Sequence, residues 1–150
     1  MAGTPQWLLD YVQAWNTHDP AAVLGFMTED VVFNDRALGE RVTGTAAVRD
    51  TINEMVATFS SDFQLEAGEL SVVTDGTFAA EWTMSGSNDR ADPRRGLPNT
   101  GRPFRIDGLS IGRLRDGKIA EERLYWNMAA YLVQVGLIPA PEPAVAVAQA

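Results

Sequence analysis

An α+β fold, with helices laid on one face of a curved antiparallel sheet, follows from two features of this 150-residue sequence. Up to about residue 60 the apolar residues recur mainly at helical spacing, whereas from Asp62 onward they alternate with polar ones. Helices followed by a run of strands, with turns rather than helices between those strands, point to an antiparallel sheet and away from βαβ winding.

Thr4 and Pro5 form an N-cap and first-turn pair, after which Trp7, Leu8, Tyr11, Val12 and Trp15 repeat at helical spacing to about Thr17. A second, short helix starts at "HDPAAVLGFM", with Asp19 as N-cap and Pro20 at its first position. The first strand, "EDVVFND", comes next. Val31 and Phe33 read as its buried face, and the alternation puts Asp35 on that same face. After a turn carrying Gly39 and Gly44, the stripe Val48, Ile52, Met55, Val56, Phe59 defines a third helix with Thr45 as its N-cap. Four strands follow: "FQLEAGELSVV", "GTFAAEWTMSG", "RPFRIDGLSIGRLR" and "KIAEERLYWN". They are joined by the turns "TDG" and "RDG" and by a long loop from Ser87 to Gly101. Asn127 caps a short last helix, "MAAYLVQVG", which Gly136 stops. Residues 1–138 are expected to form a single domain, and 139–150 a disordered tail.

Composition narrows the function. An apolar fraction of 45% with 21% charged residues is that of an ordinary globular protein, and no segment approaches the roughly 20 apolar residues of a membrane span. A net charge of −8 argues against nucleic acid as a partner, because binding phosphates needs clustered Lys and Arg. The one basic cluster, Arg90, Arg94, Arg95 and Arg102, is interrupted by Asp89 and Asp92 and reads as a solvated loop face. With no cysteine and one histidine, His18, a metal centre is not expected; His18 itself reads as a surface residue. Met1 to Gln6 has neither a basic nor an apolar leader region, so a cytoplasmic location is expected.

In the strand after Gly76, Phe78, Ala80, Trp82 and Met84 share one face while Thr77, Glu81, Thr83 and Ser85 share the other. In the last strand Leu124 and Trp126 oppose Arg123 and Tyr125. One sheet face is therefore aromatic and apolar, which fits either a pocket wall or a filled core.

Two halves of the chain carry a resemblance. "GLPNTGRP" and "RDGKIAEERLYWNMAAYLVQVGLIP" resemble the closing half of SnoaL-like proteins. "DYVQAWNTHDPAAVLGFMTEDVVFND" with "GERVTGTAAVRD" resembles the helices and first strand of ketosteroid isomerase. From Trp7 to about Pro139 the chain is similar to the NTF2-like superfamily, the α+β cone shared by ketosteroid isomerases, limonene epoxide hydrolases and SnoaL-type polyketide cyclases. The resemblance implies a cone with three N-terminal helices on the sheet, a hydrophobic pocket, no cofactor, and a homodimer made through the outer sheet face, where Thr77, Glu81 and Thr83 point outward.

It also implies roles. Tyr11 falls on the isomerase's oxyanion-binding tyrosine and Asp35 on its proton-shuttling aspartate, while the isomerase's protonated aspartic acid falls on Ser110. Asp107, three residues from Ser110, fills that place only if a bulge at Gly108 turns it inward; otherwise it is an outward carboxylate paired to Arg105 or Arg123. The epoxide hydrolase triad falls on Leu124, Trp82 and Met84, all uncharged. The cyclase's acid/base aspartate and its histidine partner fall on Leu124 and Ser110, so that mechanism lacks its usual base. Asn127 reads as a helix cap rather than a remnant of that aspartate.

A carbon acid next to a carbonyl needs a base within hydrogen-bond reach and a donor aimed at the oxygen that becomes an enolate. Asp35 as base and Tyr11 as donor fit those roles, with Asp107 as a second donor and Trp15, Phe33, Trp82, Met84, Ser110, Leu124 and Trp126 as substrate-binding wall. The competing structural readings are a strand-end Asp35 bonded to its own turn and a core Tyr11 on the helix stripe. The expected activity is isomerisation or aldol-type cyclisation of a hydrophobic polycyclic carbonyl compound. Alternatives are epoxide opening or hydration by another carboxylate, such as Glu81 or Asp107, and a non-catalytic binding or assembly module.

Overall fold

Two Asp-Gly turns set the register of the sheet. Asp75 and Gly76 (φ +40° and +75°) and Asp116 and Gly117 (φ +52° and +77°) take the left-handed backbone that a two-residue type I′ hairpin demands. They place Thr74 opposite Thr77 and Arg115 opposite Lys118. The computed structural model describes residues 3–143. Among these the elements run α1 (Gln6–Asn16), α2 (Pro20–Leu24), β1 (Met27–Asp35), β2 (Glu40–Thr43), α3 (Thr45–Thr58), β3 (Gln64–Thr74), β4 (Thr77–Ser87), β5 (Pro103–Arg115), β6 (Lys118–Trp126) and α4 (Met128–Gln134). Residues 139–143 carry neither helix nor strand, and the rest of the expected tail lies outside the described residues.

The six strands form one curved sheet in the order β2-β1-β6-β5-β4-β3. Its pairing departs from the sequence expectation in two places. β1 and β6 are parallel, with Phe33 beside Glu122 and Asp35 beside Leu124, because the β3–β6 meander brings its last strand back beside the first. β2, in the stretch expected to be only a turn, pairs antiparallel with β1. It alternates half-buried and exposed residues over four positions, too short a run to stand out by pattern, and exists because β1 offers it an edge.

Helix ends follow local chemistry with two corrections. Asp19 and Asn127 cap as expected, their side chains accepting from Ala21 N–H and Ala130 N–H at 2.9 Å each. Pro5, not Thr4, occupies the N-cap position of α1, and Gly44, not Thr45, that of α3; neither helix has a side-chain cap. Gly136 follows α4 at φ +79°. The end of α1 is fastened to the edge strand β3 by Asn16, whose Nδ2 donates to the Leu65 carbonyl at 2.9 Å while its Oδ1 accepts from Leu65 N–H at 2.6 Å. His18 is half-buried rather than exposed: it takes φ +58°, lies 4.2 Å from the Phe63 ring and bonds the Phe63 carbonyl at 2.8 Å.

The core lies between the concave sheet face and α1–α3, with Val23, Val31, Val48, Ile52, Phe63 and Ile119 fully buried. Two glycines on the inner face of β5 make room for aromatic rings of β4. A Cβ on Gly108 would stand 2.2 Å from the Trp82 ring, and one on Gly112 would stand 2.5 Å from the Phe78 ring. Gly108→Ala is therefore expected to cost about 1–3 kcal/mol by overpacking and to displace the Trp82 indole. Urea unfolding followed by tryptophan emission checks both effects; an unchanged midpoint with an unchanged native spectrum would contradict them.

Candidate active site

Strand alternation aims a single row from each strand into the chamber. β1 contributes Phe33 and Asp35, β6 contributes Glu122, Leu124 and Trp126, and β4 and β5 contribute Trp82, Met84 and Ser110; α1 closes the opposite side with Tyr11 and Trp15. These residues surround a cavity of about 140 Å³ whose wall is mostly apolar.

Its buried end holds a chain of polar groups. The Tyr11 phenol donates to Glu122 Oε1 at 2.7 Å, the Ser110 hydroxyl donates to Glu122 Oε2 at 2.9 Å, and the Trp82 indole N–H donates to Ser110 Oγ at 3.0 Å. Trp82 reaches Ser110 because its ring lies across Gly108. Glu122 is only 3% exposed. Burial holds its carboxyl above the ordinary 4.5, against the Tyr11 and Ser110 hydrogen bonds that lower it. Burial, then the neighbouring Glu122 charge and hydrogen bond, hold the Tyr11 phenol well above 10.0.

Asp35 stands on the same face. Its two-residue offset from Glu122 across adjacent strands puts the α-carbons roughly 8 Å apart. Asp35 Oδ1 accepts from Ala37 N–H and Leu38 N–H at 3.0 and 2.9 Å, and the Trp126 indole N–H donates to both carboxylate oxygens at 3.1 Å. Both readings of this residue hold at once: it ties the β1–β2 turn and it borders the cavity. Burial raises its pKa above 3.8, while the N–H bonds from Leu38, Trp126 and Ala37 oppose the rise.

All seven wall residues expected from the sequence line this cavity, as do Tyr11 and Asp35. Asp107 does not. It is exposed on the outer face, where it accepts a 2.8 Å hydrogen bond from Thr83, because the β4–β5 register runs unbroken past Gly108 and no bulge turns it inward. Arg105 and Arg123 are not its partners: Arg105 approaches Glu66, and Arg123 approaches Glu121.

Glu122 is the residue the sequence reading missed. It lies two positions before Leu124 on the face already assigned to Leu124 and Trp126, so the same alternation reaches it. The position expected to match the cyclase's aspartate, Leu124, is uncharged, and the carboxyl that meets Ser110 comes from Glu122 instead. Before Glu121 the alternation breaks, because β6 carries an extra residue, Ala120, between the pairs Arg113–Glu121 and Leu114–Ile119.

The loop between β4 and β5 crosses the mouth of the cavity. Arg95 pairs with Glu40 of β2 and with Asp92; Arg94 approaches Glu40 at 3.3 Å and Glu54 of α3 at 3.0 Å. Arg90, Arg94 and Arg102 are exposed, as the solvated face expected from the sequence requires, and Arg95 is the half-buried exception. Among the described residues no group of three or more His, Asp or Glu is placed to hold a metal ion, and no helix is long and apolar enough to cross a membrane.

With this geometry established, comparison with known proteins gives the class. Residues 8–122 match the model of the SnoaL-like domain, and the chain belongs to that family, within the NTF2-like superfamily. A ketosteroid isomerase-like fold protein from Catenulispora acidiphila, solved with trimethylamine, superposes with a TM-score of 0.77 at 18% identity, over 90% of this chain and 95% of that one. A protein of Xanthomonas campestris pv. campestris described as a candidate polyketide cyclase gives 0.72 at 26% identity, over 85% and 93%. IdmH of Streptomyces antibioticus, also described as a candidate polyketide cyclase, gives 0.73 at 22%, over 86% and 95%. No curated protein matches the chain.

The two raised carboxyls predict a pH dependence. Each binds its proton more tightly in the folded chain than in the unfolded one. Their contribution to stability is therefore full below the ordinary values of 4.5 and 3.8, and is lost as pH rises from there through the raised folded values. Glu122→Gln removes one share of that loss, so its stability relative to wild type should improve as pH rises from about 4 to about 8. Urea unfolding across that range measures it; parallel curves would mean that Glu122 titrates alike folded and unfolded.

Proposed function

We propose that this protein is a cofactor-independent acid/base enzyme that forms an enolate from a hydrophobic carbonyl compound, with Asp35 as base and the Tyr11–Glu122 pair as oxyanion donor. One observation carries the reading: the two cavity carboxyls have hydrogen-bond partners of different kinds. Those of Asp35 are N–H groups of Ala37, Leu38 and Trp126, which donate only and so favour the ionised form. Those of Glu122 are hydroxyls of Tyr11 and Ser110, which also accept, so a neutral carboxylic acid finds partners there. One site therefore offers a carboxylate and an acid within the same apolar chamber.

With Glu122 neutral, its O–H donates a hydrogen bond to the Tyr11 oxygen, and the phenol keeps its own proton and turns that O–H towards the cavity. Asp35 removes a proton from the carbon next to the substrate carbonyl. The C–H pair becomes the enolate double bond, and the carbonyl oxygen takes up charge against the Tyr11 O–H. Return of the proton from Asp35 at another carbon gives isomerisation; attack of the enolate carbon on a second carbonyl of the same molecule, whose π pair becomes an alkoxide that takes up the proton held by Asp35, gives cyclisation. The SnoaL-like family and the cyclases among the structural relatives support this class of chemistry.

The volume limits the substrate. A cavity of 140 Å³ is close to the roughly 150 Å³ apolar cavity that takes up benzene, so it seats one or two rings. A longer polycycle enters ring-first, down the cone, with the remainder under the latched loop.

Deuterium incorporation from heavy water into 2-tetralone, followed by NMR, tests proton abstraction without knowledge of the natural substrate. Wild type should accelerate exchange. Asp35→Asn should lower it by about 10²–10⁴-fold, and Tyr11→Phe by about 10²–10³-fold, with 2-tetralone still bound in both. Exchange unaffected by Asp35→Asn but lost in Glu122→Gln would move the base to Glu122.

A further inference from the structure

Away from Tyr11 and Glu122, the cavity has a second polar point on its wall. Tyr131 of α4 and Asn88 at the start of the mouth loop both line the cavity and are each 3% exposed. Asn88 Nδ2 donates to the Tyr131 hydroxyl at 2.8 Å, and Asn88 Oδ1 accepts from Thr100 N–H at 2.8 Å. A phenol carries one donated proton and an amide nitrogen two. Among the described residues no acceptor takes the Tyr131 proton or the second Asn88 hydrogen. Two buried donors are thus left over, although buried polar groups are ordinarily paired.

The surroundings make this pair a site rather than a packing accident. The Tyr131 ring is held by Phe59, Phe104 and Trp126, with centroids 4.9, 5.1 and 6.3 Å away, and Trp126 is the residue that bonds Asp35. Asn88 has its orientation fixed by Thr100, so its bond to Tyr131 fixes the phenol. Burial, opposed by the Asn88 bond, holds the Tyr131 phenol above 10.0, and it stays a donor across the neutral range. Along β6, the level of Trp126 and Tyr131 is four residues from Glu122, which corresponds to ~13 Å of strand.

We propose that Tyr131 and Asn88 form a second oxygen-recognition point, so that the substrate is a neutral compound with two oxygen functions at opposite ends of a fused-ring framework. One oxygen meets Tyr11 and the other accepts from Tyr131 and Asn88. Both leftover groups are donors, so the second oxygen is an acceptor: a carbonyl, an ether or a hydroxyl oxygen. This rests on the reading of Tyr11 as the oxyanion donor and adds the substrate class and a specificity residue.

Isothermal titration of the whole chain with 2-naphthol and with 2,6-dihydroxynaphthalene tests it. Wild type should bind the dihydroxy compound about 3- to 10-fold more tightly, the worth of one net hydrogen bond. Tyr131→Phe should abolish that preference and leave 2-naphthol binding unchanged. Tyr11→Phe should weaken both compounds by the same factor. A preference that survives Tyr131→Phe, or a loss there equal for both compounds, overturns the second recognition point and leaves the enolate reading standing. If Tyr11→Phe weakens neither compound while the Tyr131→Phe result holds, the second point stands and the oxyanion role of Tyr11 falls. Failure of wild type to bind either naphthol removes both.

Discussion

A buried carboxyl group in an apolar chamber, with two hydroxyls for company and no cation against it among the described residues, constrains the rest of this molecule. Stripping an ionised carboxylate of water costs several kcal/mol even after relaxation, and an unpaired neutral one still forfeits its hydrogen bonds. Glu122 is held at 3% exposure only because three elements converge on it: α1 brings Tyr11, β5 brings Ser110, and β4 brings the Trp82 indole that orients Ser110. Trp82 in turn needs the missing side chain of Gly108. A glycine on one strand, an indole on the next and a phenol on a helix form one connected unit, so a change in any of them reaches the acid.

Asp35 shows the opposite arrangement by the same rules. It sits where β1 turns into β2, and the turn supplies backbone N–H groups that a carboxylate can accept. Trp126 supplies a third N–H from the facing strand. The feature that secures the turn also biases the ionisation state of the group bordering the cavity, so structural and chemical readings of Asp35 are consequences of one set of bonds. Both carboxyls are raised by burial and lowered by their hydrogen bonds; what differs is the kind of partner, N–H groups at Asp35 and hydroxyls at Glu122.

The sequence displayed what depends on neighbours a few residues away. Helix stripes, the Asp19 and Asn127 caps, both Asp-Gly turns and the inward row of β4 were legible because period and turn chemistry are local. The β1–β6 parallel pair and β2 were not, since each is decided by which edge a distant segment finds free. Asp107 illustrates the limit from the other side: its outward position follows from simple alternation, and assigning it to the cavity required a bulge that the β4–β5 register does not contain. Glu122 was within reach of the count from Leu124 and Trp126. Nothing local says that the carboxyl there meets a phenol 111 positions earlier in the chain.

The loop between β4 and β5 is held to β2 and α3 by ion pairs of unequal worth. Arg94 is 57% exposed and its pairs with Glu40 and Glu54 are worth about 0–1 kcal/mol each, so they add little to the hold on the loop. Arg95, at 25% exposure and shared between Glu40 and the nearly buried Asp92, is the firmer pin. Asp92 keeps its charge there: burial works against it, but the Arg95 hydrogen bond and charge together with backbone N–H groups of Arg95 and Arg94 hold its pKa below 3.8. The loop is thus held at Arg95 and, at its Asn88 end, by the hydrogen bond to Tyr131. The ion pairs that fix the loop are themselves part of the chamber wall, since Glu40, Asp92 and Arg95 all line it.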